Sequence, residues 1–89
     1  MDLVYIRKSA LKHGINPRQM RQVLADTETT QFFPIHEDAA GNPQEMAVGF
    51  TQNEVLLEIG VTYGPDMDYV FHAKRAGALY RKIFERRRK

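Results

Sequence analysis

The spacing of apolar residues is most clearly helical over residues 16–26. Its apolar positions recur at the three- and four-residue intervals of an amphipathic helix and are occupied by Met20, Val23 and Leu24. The start is also well marked, with an N-cap, a first-turn proline and a capping-box partner at Asn16, Pro17 and Gln19. Residues Ile15 and Met20 occupy the hydrophobic staple positions. The pattern therefore predicts a helix that ends near Asp26.

A shorter helix is predicted before it, over residues 8–13. Ser9 is a suitable N-cap, and Gly14 can supply the left-handed residue that follows a helix end. The apolar residues 3–6 fit either a short edge strand or the first turn of a helix, and the pattern does not separate the two.

From residue 29 the character changes to that of a sheet. β-branched and aromatic residues separated by turn signals predict four consecutive antiparallel strands, near residues 29–35, 45–51, 55–63 and 67–72. Pro34 favours an edge position for the first of them. The third strand is nearly all apolar, as expected of a central strand. Its residues Val55, Leu57, Ile59 and Val61 are expected to face the helices.

Helical spacing returns over residues 73–87, with the opposite face strongly basic. The chain is therefore predicted to be one α+β domain over residues 1–89. It would have N-terminal helices, a twisted four-stranded antiparallel sheet and a basic C-terminal helix packed on that sheet.

Charge is segregated although the net charge is only +2. Residues 7–21 contain no acid, residues 26–68 contain no base, and the C-terminal helix is basic again. This distribution suggests one positive face that could meet nucleic acid, although exposed charge also simply solvates helix surfaces. The chain has no cysteine, no apolar run long enough for a membrane span and no signal-peptide core. A cytoplasmic protein is expected.

Two of the three histidines are candidates for chemistry. His13 and His72 each end a predicted element beside basic residues, whereas His36 lies in an acidic loop. Metal-free RNA cleavage needs a base, an acid and cations on the phosphate, which histidine and lysine or arginine supply. The alternatives are a packed strand-end residue for His72 and a helix-terminal cation for His13.

Other chemistries have weaker support. No HExxH, paired-carboxylate, glycine-rich phosphate or nucleophile motif is present. Glu54 and Glu58 are separated by an even number of residues on and beside one predicted strand, so both would point to the same face. This spacing is typical of a solvated sheet face. Tyr80, on the terminal helix, can be a core residue whose hydroxyl reaches the surface.

Several segments taken together resemble one family. They are Lys12-His13-Gly14-Ile15, Glu58 within LLEIGVTY, Val70-Phe71-His72-Ala73, and Tyr80-Arg81. Over residues 8–87 the chain resembles the BrnT-like toxins of type II toxin–antitoxin systems, within the RelE-like ribonuclease toxins. The resemblance implies a RelE-like fold and an endoribonuclease that needs no metal or other cofactor and inhibits translation. It also implies a cognate antitoxin protein that forms a hetero-oligomer with the toxin.

The resemblance also implies a catalytic set, formed by Lys12, His13, His72, Arg75 and Tyr80. Arg75 and Lys74 would hold the phosphate with help from Lys12, either histidine would move protons, and Tyr80 would orient the phosphate or a base. Further RNA contacts are expected from Arg7, Lys8, Lys74, Arg81, Lys82 and Arg86. Gly77 stands where many relatives carry an arginine. The alternative is a non-catalytic module of the same fold that binds nucleic acid or protein, and convergence of the catalytic set on one concave surface would favour the nuclease.

Overall fold

The computed structural model describes residues 4–88. Within this range the elements in chain order are β1 (Val4–Ile6), a 3-10 helix (Lys8–Leu11), α1 (Pro17–Ala25), β2 (Gln31–Ile35), β3 (Gln44–Phe50), β4 (Leu56–Tyr63), β5 (Asp68–Arg75) and α2 (Ala78–Arg87). The α+β class is therefore confirmed.

The sheet is five-stranded and mixed, with the order β1-β5-β4-β3-β2. The four predicted strands pair antiparallel, but β1 adds a parallel edge next to β5. The prediction of a four-stranded antiparallel sheet is thus corrected. Of the undecided residues 3–6, Val4–Ile6 form this edge strand and Leu3 lies outside the described residues. Pro34 lies on β2, the opposite edge, as predicted.

The start and end of α1 follow the local signals in the sequence. The Asn16 side chain accepts a hydrogen bond from the backbone N–H of Gln19, and the Gln19 side chain accepts one from the backbone N–H of Asn16. Pro17 is the first helical residue, and Met20, Val23 and Leu24 are buried. The predicted capping box and buried stripe are both confirmed.

The helix in the N-terminal segment is shorter than predicted. Instead of a helix over residues 8–13, it forms a 3-10 helix whose N-cap position, Arg7, makes no side-chain cap. The Ser9 hydroxyl donates to the carbonyl of Phe71 at 2.7 Å, so Ser9 fastens this segment to β5 rather than capping a helix. Gly14 has φ 79°, the left-handed conformation that was predicted.

The boundary between β5 and α2 also differs from the prediction. Residues 73–75 continue the strand, paired with β4 from Ile59 back to Leu57, and α2 begins only at Ala78. The Ala76 backbone N–H extends this pairing by donating to the carbonyl of Leu56 at 2.9 Å. Pairing with a distant strand outweighs the local helical spacing here.

Each face of the sheet carries one α-helix. The first face packs Leu57, Ile59 and Val61 against α1, and the second packs Leu56 and Val48 against Phe84 of α2. The predicted register of β4 is confirmed for α1, with Ile59 fully buried. It is wrong for α2, which covers the opposite face, and β4 is therefore buried on both sides.

A bulge at Phe71 changes which face each β5 residue occupies. Val70 pairs with Val61 and His72 pairs with Gly60, so Phe71 is the extra residue between them. The Phe71 ring occupies the space above Gly60, where a Cβ would lie 2.6 Å from Phe71 Cζ. Val70 consequently enters the core on the α1 face, while His72 emerges on the α2 face.

Candidate functional site

Glu58 is a carboxylate buried on the α2 face of the sheet, with 5% of its surface exposed. Its Oε1 accepts a hydrogen bond from the backbone N–H of Gly77 at 2.7 Å. Its Oε2 lies 2.9 Å from Nε2 of His72. A buried carboxylate is costly unless its oxygens are satisfied. Glu58 therefore ties the middle of β4 both to β5 and to the start of α2.

The contact with Glu58 sets the orientation of the His72 ring. An ionised carboxylate only accepts hydrogen bonds, so Nε2 of His72 carries a proton when it faces one. Nδ1 is then the ring nitrogen free to exchange a proton with another group. The His72 side chain is 23% exposed. A half-buried imidazole with one fixed nitrogen is suited to general acid–base chemistry.

His13 reaches the same place from the other end of the chain. The ring centroids of His13 and His72 are 5.9 Å apart, with an angle of 72° between the planes. The preceding segment is fixed on β5 by the Ser9 hydroxyl and by the Arg7 backbone N–H, which donates to the carbonyl of Val70 at 3.0 Å. This separation allows one small group, such as a phosphate, to contact both imidazoles.

Two lysines lie next to the histidines. Lys74 pairs with Glu58 across the sheet, and its Nζ lies 3.9 Å from where a Cβ on Gly77 would be. Lys12 directly precedes His13 and is exposed. Lys74 therefore places a positive charge on this corner of the α2 face, and a positive potential attracts a phosphate.

Arg75 does not belong to this group of side chains. It pairs with Leu57, whose side chain lies in the core beneath α1. Paired residues of adjacent antiparallel strands share a face, and successive residues alternate. Arg75 therefore projects on the α1 face, opposite to His72 and Lys74. The family resemblance implied that Arg75 converges with His72, and the structure does not bring these two side chains together.

Tyr80 is also separated from the histidines. Its ring packs against Phe33 with centroids 6.1 Å apart. Phe33 lies on β2, three strands away from β5 in the sheet. Of the five residues expected to be catalytic, His13 and His72 come together and Lys12 adjoins His13 in the chain, whereas Arg75 and Tyr80 lie elsewhere.

The residues expected to contact RNA divide into two groups. Arg7, Lys8 and Lys74 lie around β5 and the segment that leads to His13. By contrast, Arg81, Lys82 and Arg86 line a shallow groove on the outward side of α2. The second group is displaced from the histidines but shares their side of the sheet.

The sequence interpretation missed the role of Glu58, which it assigned to a solvated sheet face. Glu54, its supposed neighbour on that face, lies in the exposed β3–β4 turn with φ 60°. A signal was nevertheless present. A glutamate inside the apolar run LLEIGVTY of a central strand must be buried, and a buried carboxylate needs partners.

Among the described residues, the four best-formed cavities are lined by neither His13 nor His72. One cavity, of ≈ 640 Å³, lies beyond the other end of β5 and is lined by Val4, Tyr5, Arg21 and residues 64–68. The histidine site is an open surface, which suits a polymeric ligand better than a small molecule. Among residues 4–88 no three histidine, aspartate or glutamate side chains are grouped so that they could hold a metal ion.

Comparisons with known proteins give no assignment: no protein-family model matches the chain, and no curated protein matches it significantly. Over the part of the chain that the structure describes, no helix has the length and apolar character needed to cross a membrane.

Proposed function

We propose that this protein is a metal-independent endoribonuclease and the toxin of a type II toxin–antitoxin system. The observation that carries the proposal is the placement of His72, held by the buried carboxylate of Glu58, beside the ring of His13. Two imidazoles at one exposed corner provide a base and an acid near neutral pH.

In the proposed reaction, one histidine removes the proton of a ribose 2′-hydroxyl. The resulting oxygen attacks the adjacent phosphorus, and the bond from phosphorus to the 5′-oxygen breaks. The other histidine gives a proton to that leaving oxygen. The products are a 2′,3′-cyclic phosphate and a 5′-hydroxyl. Nδ1 of His72 is suited to the base role because Glu58 fixes Nε2, and His13 would then be the acid.

Negative charge builds on the phosphate oxygens during this reaction. Lys74 lies on the same sheet face as His72, and Lys12 adjoins His13, so both can approach a phosphate held between the rings. Preorganised cations of this kind lower the barrier. Lys74 therefore keeps the phosphate-holding role that was expected of it together with Arg75, while Arg75 lies on the other face and Tyr80 has no assigned role in the proton transfers.

The direct test is incubation of the purified protein with end-labelled single-stranded RNA, with and without EDTA. The proposal predicts cleavage in both conditions, with cyclic phosphate and 5′-hydroxyl ends. His36→Ala, in an exposed loop, is the matched control and should cleave like the wild type. Cleavage that stops with EDTA, or that leaves 5′-phosphate ends, would overturn the mechanism.

The toxin role is supported by the family resemblance and by the exposed cations on α2. A partner with an acidic segment would associate quickly with such a surface. Expression of the wild type in a bacterium should arrest growth, and co-expression of the product of the adjacent reading frame should restore it. The two proteins should co-purify as a hetero-oligomer, a heterotetramer by analogy with the family. Growth arrest that no flanking gene relieves would contradict this role.

A second candidate is a non-catalytic module that binds nucleic acid. The observation that favours it is the position of Arg81, Lys82 and Arg86 outside the histidine corner. This candidate predicts RNA binding without cleavage and equal binding by His72 variants. RNA binding that persists while no product forms would select it over the nuclease.

A further inference from the structure

Three side chains form an aromatic and cationic stack at the edge of the sheet. The Tyr5 and Tyr69 rings meet edge to face, with centroids 6.4 Å apart and planes at 88°. The Arg7 guanidinium lies over the Tyr69 ring, 4.3 Å from its centroid. Tyr5 is 57% exposed, and Arg7 is exposed as well. A tyrosine this exposed contributes little to the core, so its position is open to a ligand.

This stack lies on the same side of the sheet as the histidines. Tyr69 pairs with both Tyr5 and Thr62. Thr62 is four residues from Glu58 on β4 and therefore lies on the same face of the sheet. His72 follows Tyr69 by three residues on β5, about 10 Å along the strand. Between them, the Phe71 ring lies 6.5 Å from the His72 ring, measured between centroids. A row of two ring pairs, Tyr5–Tyr69 and Phe71–His72, therefore leads from the sheet edge to the histidines.

Charges indicate which ligand fits this row. Arg7 lies over the Tyr69 ring and Lys74 lies on the same face beyond His72, so a chain of phosphates is attracted along it. Acidic residues lie around its far end. Asp66 and Asp68 line the cavity next to Tyr5. The electrostatic potential along the row is therefore most positive at the end next to the histidines.

We propose that Tyr5, Tyr69 and Arg7 form a stacking subsite for a nucleobase of single-stranded RNA next to the phosphate held between His13 and His72. This inference rests on the proposed ribonuclease function. The base stacks on the exposed Tyr5 ring or on the free face of the Arg7 guanidinium, as unpaired bases do on aromatic and guanidinium planes. A duplex is excluded because its bases already stack on one another.

Binding of a short single-stranded oligonucleotide with 2′-deoxy sugars tests the subsite, since it lacks the attacking hydroxyl and is not cut. Tyr5→Ala should weaken binding about 5- to 100-fold, the range for loss of one base–aromatic stack, and Tyr5→Phe should restore it. An abasic oligonucleotide of equal length should bind the wild type and Tyr5→Ala equally. Arg7→Ala should weaken binding, whereas Arg18→Ala, on α1 at the other face, should not.

The outcomes separate this inference from the proposed function. Cleavage of RNA by the wild type with an unchanged KM in Tyr5→Ala overturns the subsite and leaves the nuclease. Binding that depends on Tyr5 without any cleavage overturns the nuclease and leaves the subsite. A wild-type protein that binds the abasic strand as tightly as the normal one, or binds neither, contradicts base stacking.

Discussion

Oε2 of Glu58 lies 2.9 Å from Nε2 of His72, which joins a buried acid on β4 to a half-buried base on β5. The other oxygen of the same carboxylate accepts from the backbone N–H of Gly77, directly before α2. One side chain therefore fixes both the orientation of the imidazole and the docking of the C-terminal helix. Gly77 contributes through its backbone, at the position where many members of the resembled family have an arginine.

Replacement of Glu58 by glutamine should separate these two roles. The amide oxygen can still accept from Gly77, but the amide NH2 would face His72 and force the proton from Nε2 to Nδ1. The base nitrogen would be lost, and the single-turnover cleavage rate should fall about 10²- to 10⁴-fold. The melting temperature should change little. Glu54→Gln, in the exposed turn, is the control, and equal rates for the two variants would contradict the role of Glu58.

Lys74 and Arg75 form a matched pair, since they are adjacent in sequence but lie on opposite faces of the sheet. Lys74→Ala should lower the cleavage rate about 10²- to 10³-fold, as removal of one transition-state donor does. Arg75→Ala should leave the rate within about threefold of wild type, as expected for a surface substitution. The rates are compared under single-turnover conditions, and the reverse order would show that the phosphate lies on the α1 face.

Gly60 is required by the ring of Phe71. A methyl group at Gly60 would lie 2.6 Å from Phe71 Cζ, so Gly60→Ala must displace the ring. The free energy of unfolding should decrease by about 1–3 kcal/mol, measured by urea denaturation. The double variant Gly60→Ala/Phe71→Leu should recover part of this loss. A double variant that is destabilised by the sum of the two single changes would argue against the contact.

Tyr63 gives the fold a dependence on alkaline pH. Burial raises its pKa, with the hydrogen bond that its hydroxyl donates to Glu45 adding to the effect. A raised pKa in the folded state means that the stabilisation is complete below the ordinary value near 10 and is lost as the pH rises above it. Tyr63→Phe should be about 1 kcal/mol less stable at neutral pH. Urea denaturation should show this difference shrinking above about pH 10, and a constant difference would contradict the assignment.

The parts of the fold that follow from local signals could be predicted from the sequence. The capping box of Asn16 and Gln19 and the stripe of Met20, Val23 and Leu24 act within one helix, and α1 matches its prediction. The apolar run of β4 likewise marks a buried central strand. Both signals depend on residues close together in the chain.

The start of α2 and the faces of the β5 residues were predicted wrongly because they depend on contacts between residues far apart in the chain. Ala73 and Ala76 have helical spacing, but both are buried as part of an extended segment paired with β4. Residues three apart share one side of a helix but lie on opposite faces of a regular strand, and Arg75 lies on the face opposite to His72. The bulge at Phe71 adds a second change of face, because simple alternation would have buried His72 beside Val70. Nothing local in the sequence marks that bulge.

In the proposed mechanism His72 transfers a proton during RNA cleavage, and the single-turnover rate of His72→Gln tests this step. Glutamine can still donate a hydrogen bond to Glu58, so the buried carboxylate keeps a partner and the fold is preserved. The account predicts a rate about 10²- to 10⁴-fold below wild type, with an unchanged melting temperature and unchanged binding of a 2′-deoxy oligonucleotide. The control His36→Gln should cleave at the wild-type rate. A His72→Gln variant that cleaves RNA as fast as this control would contradict the account.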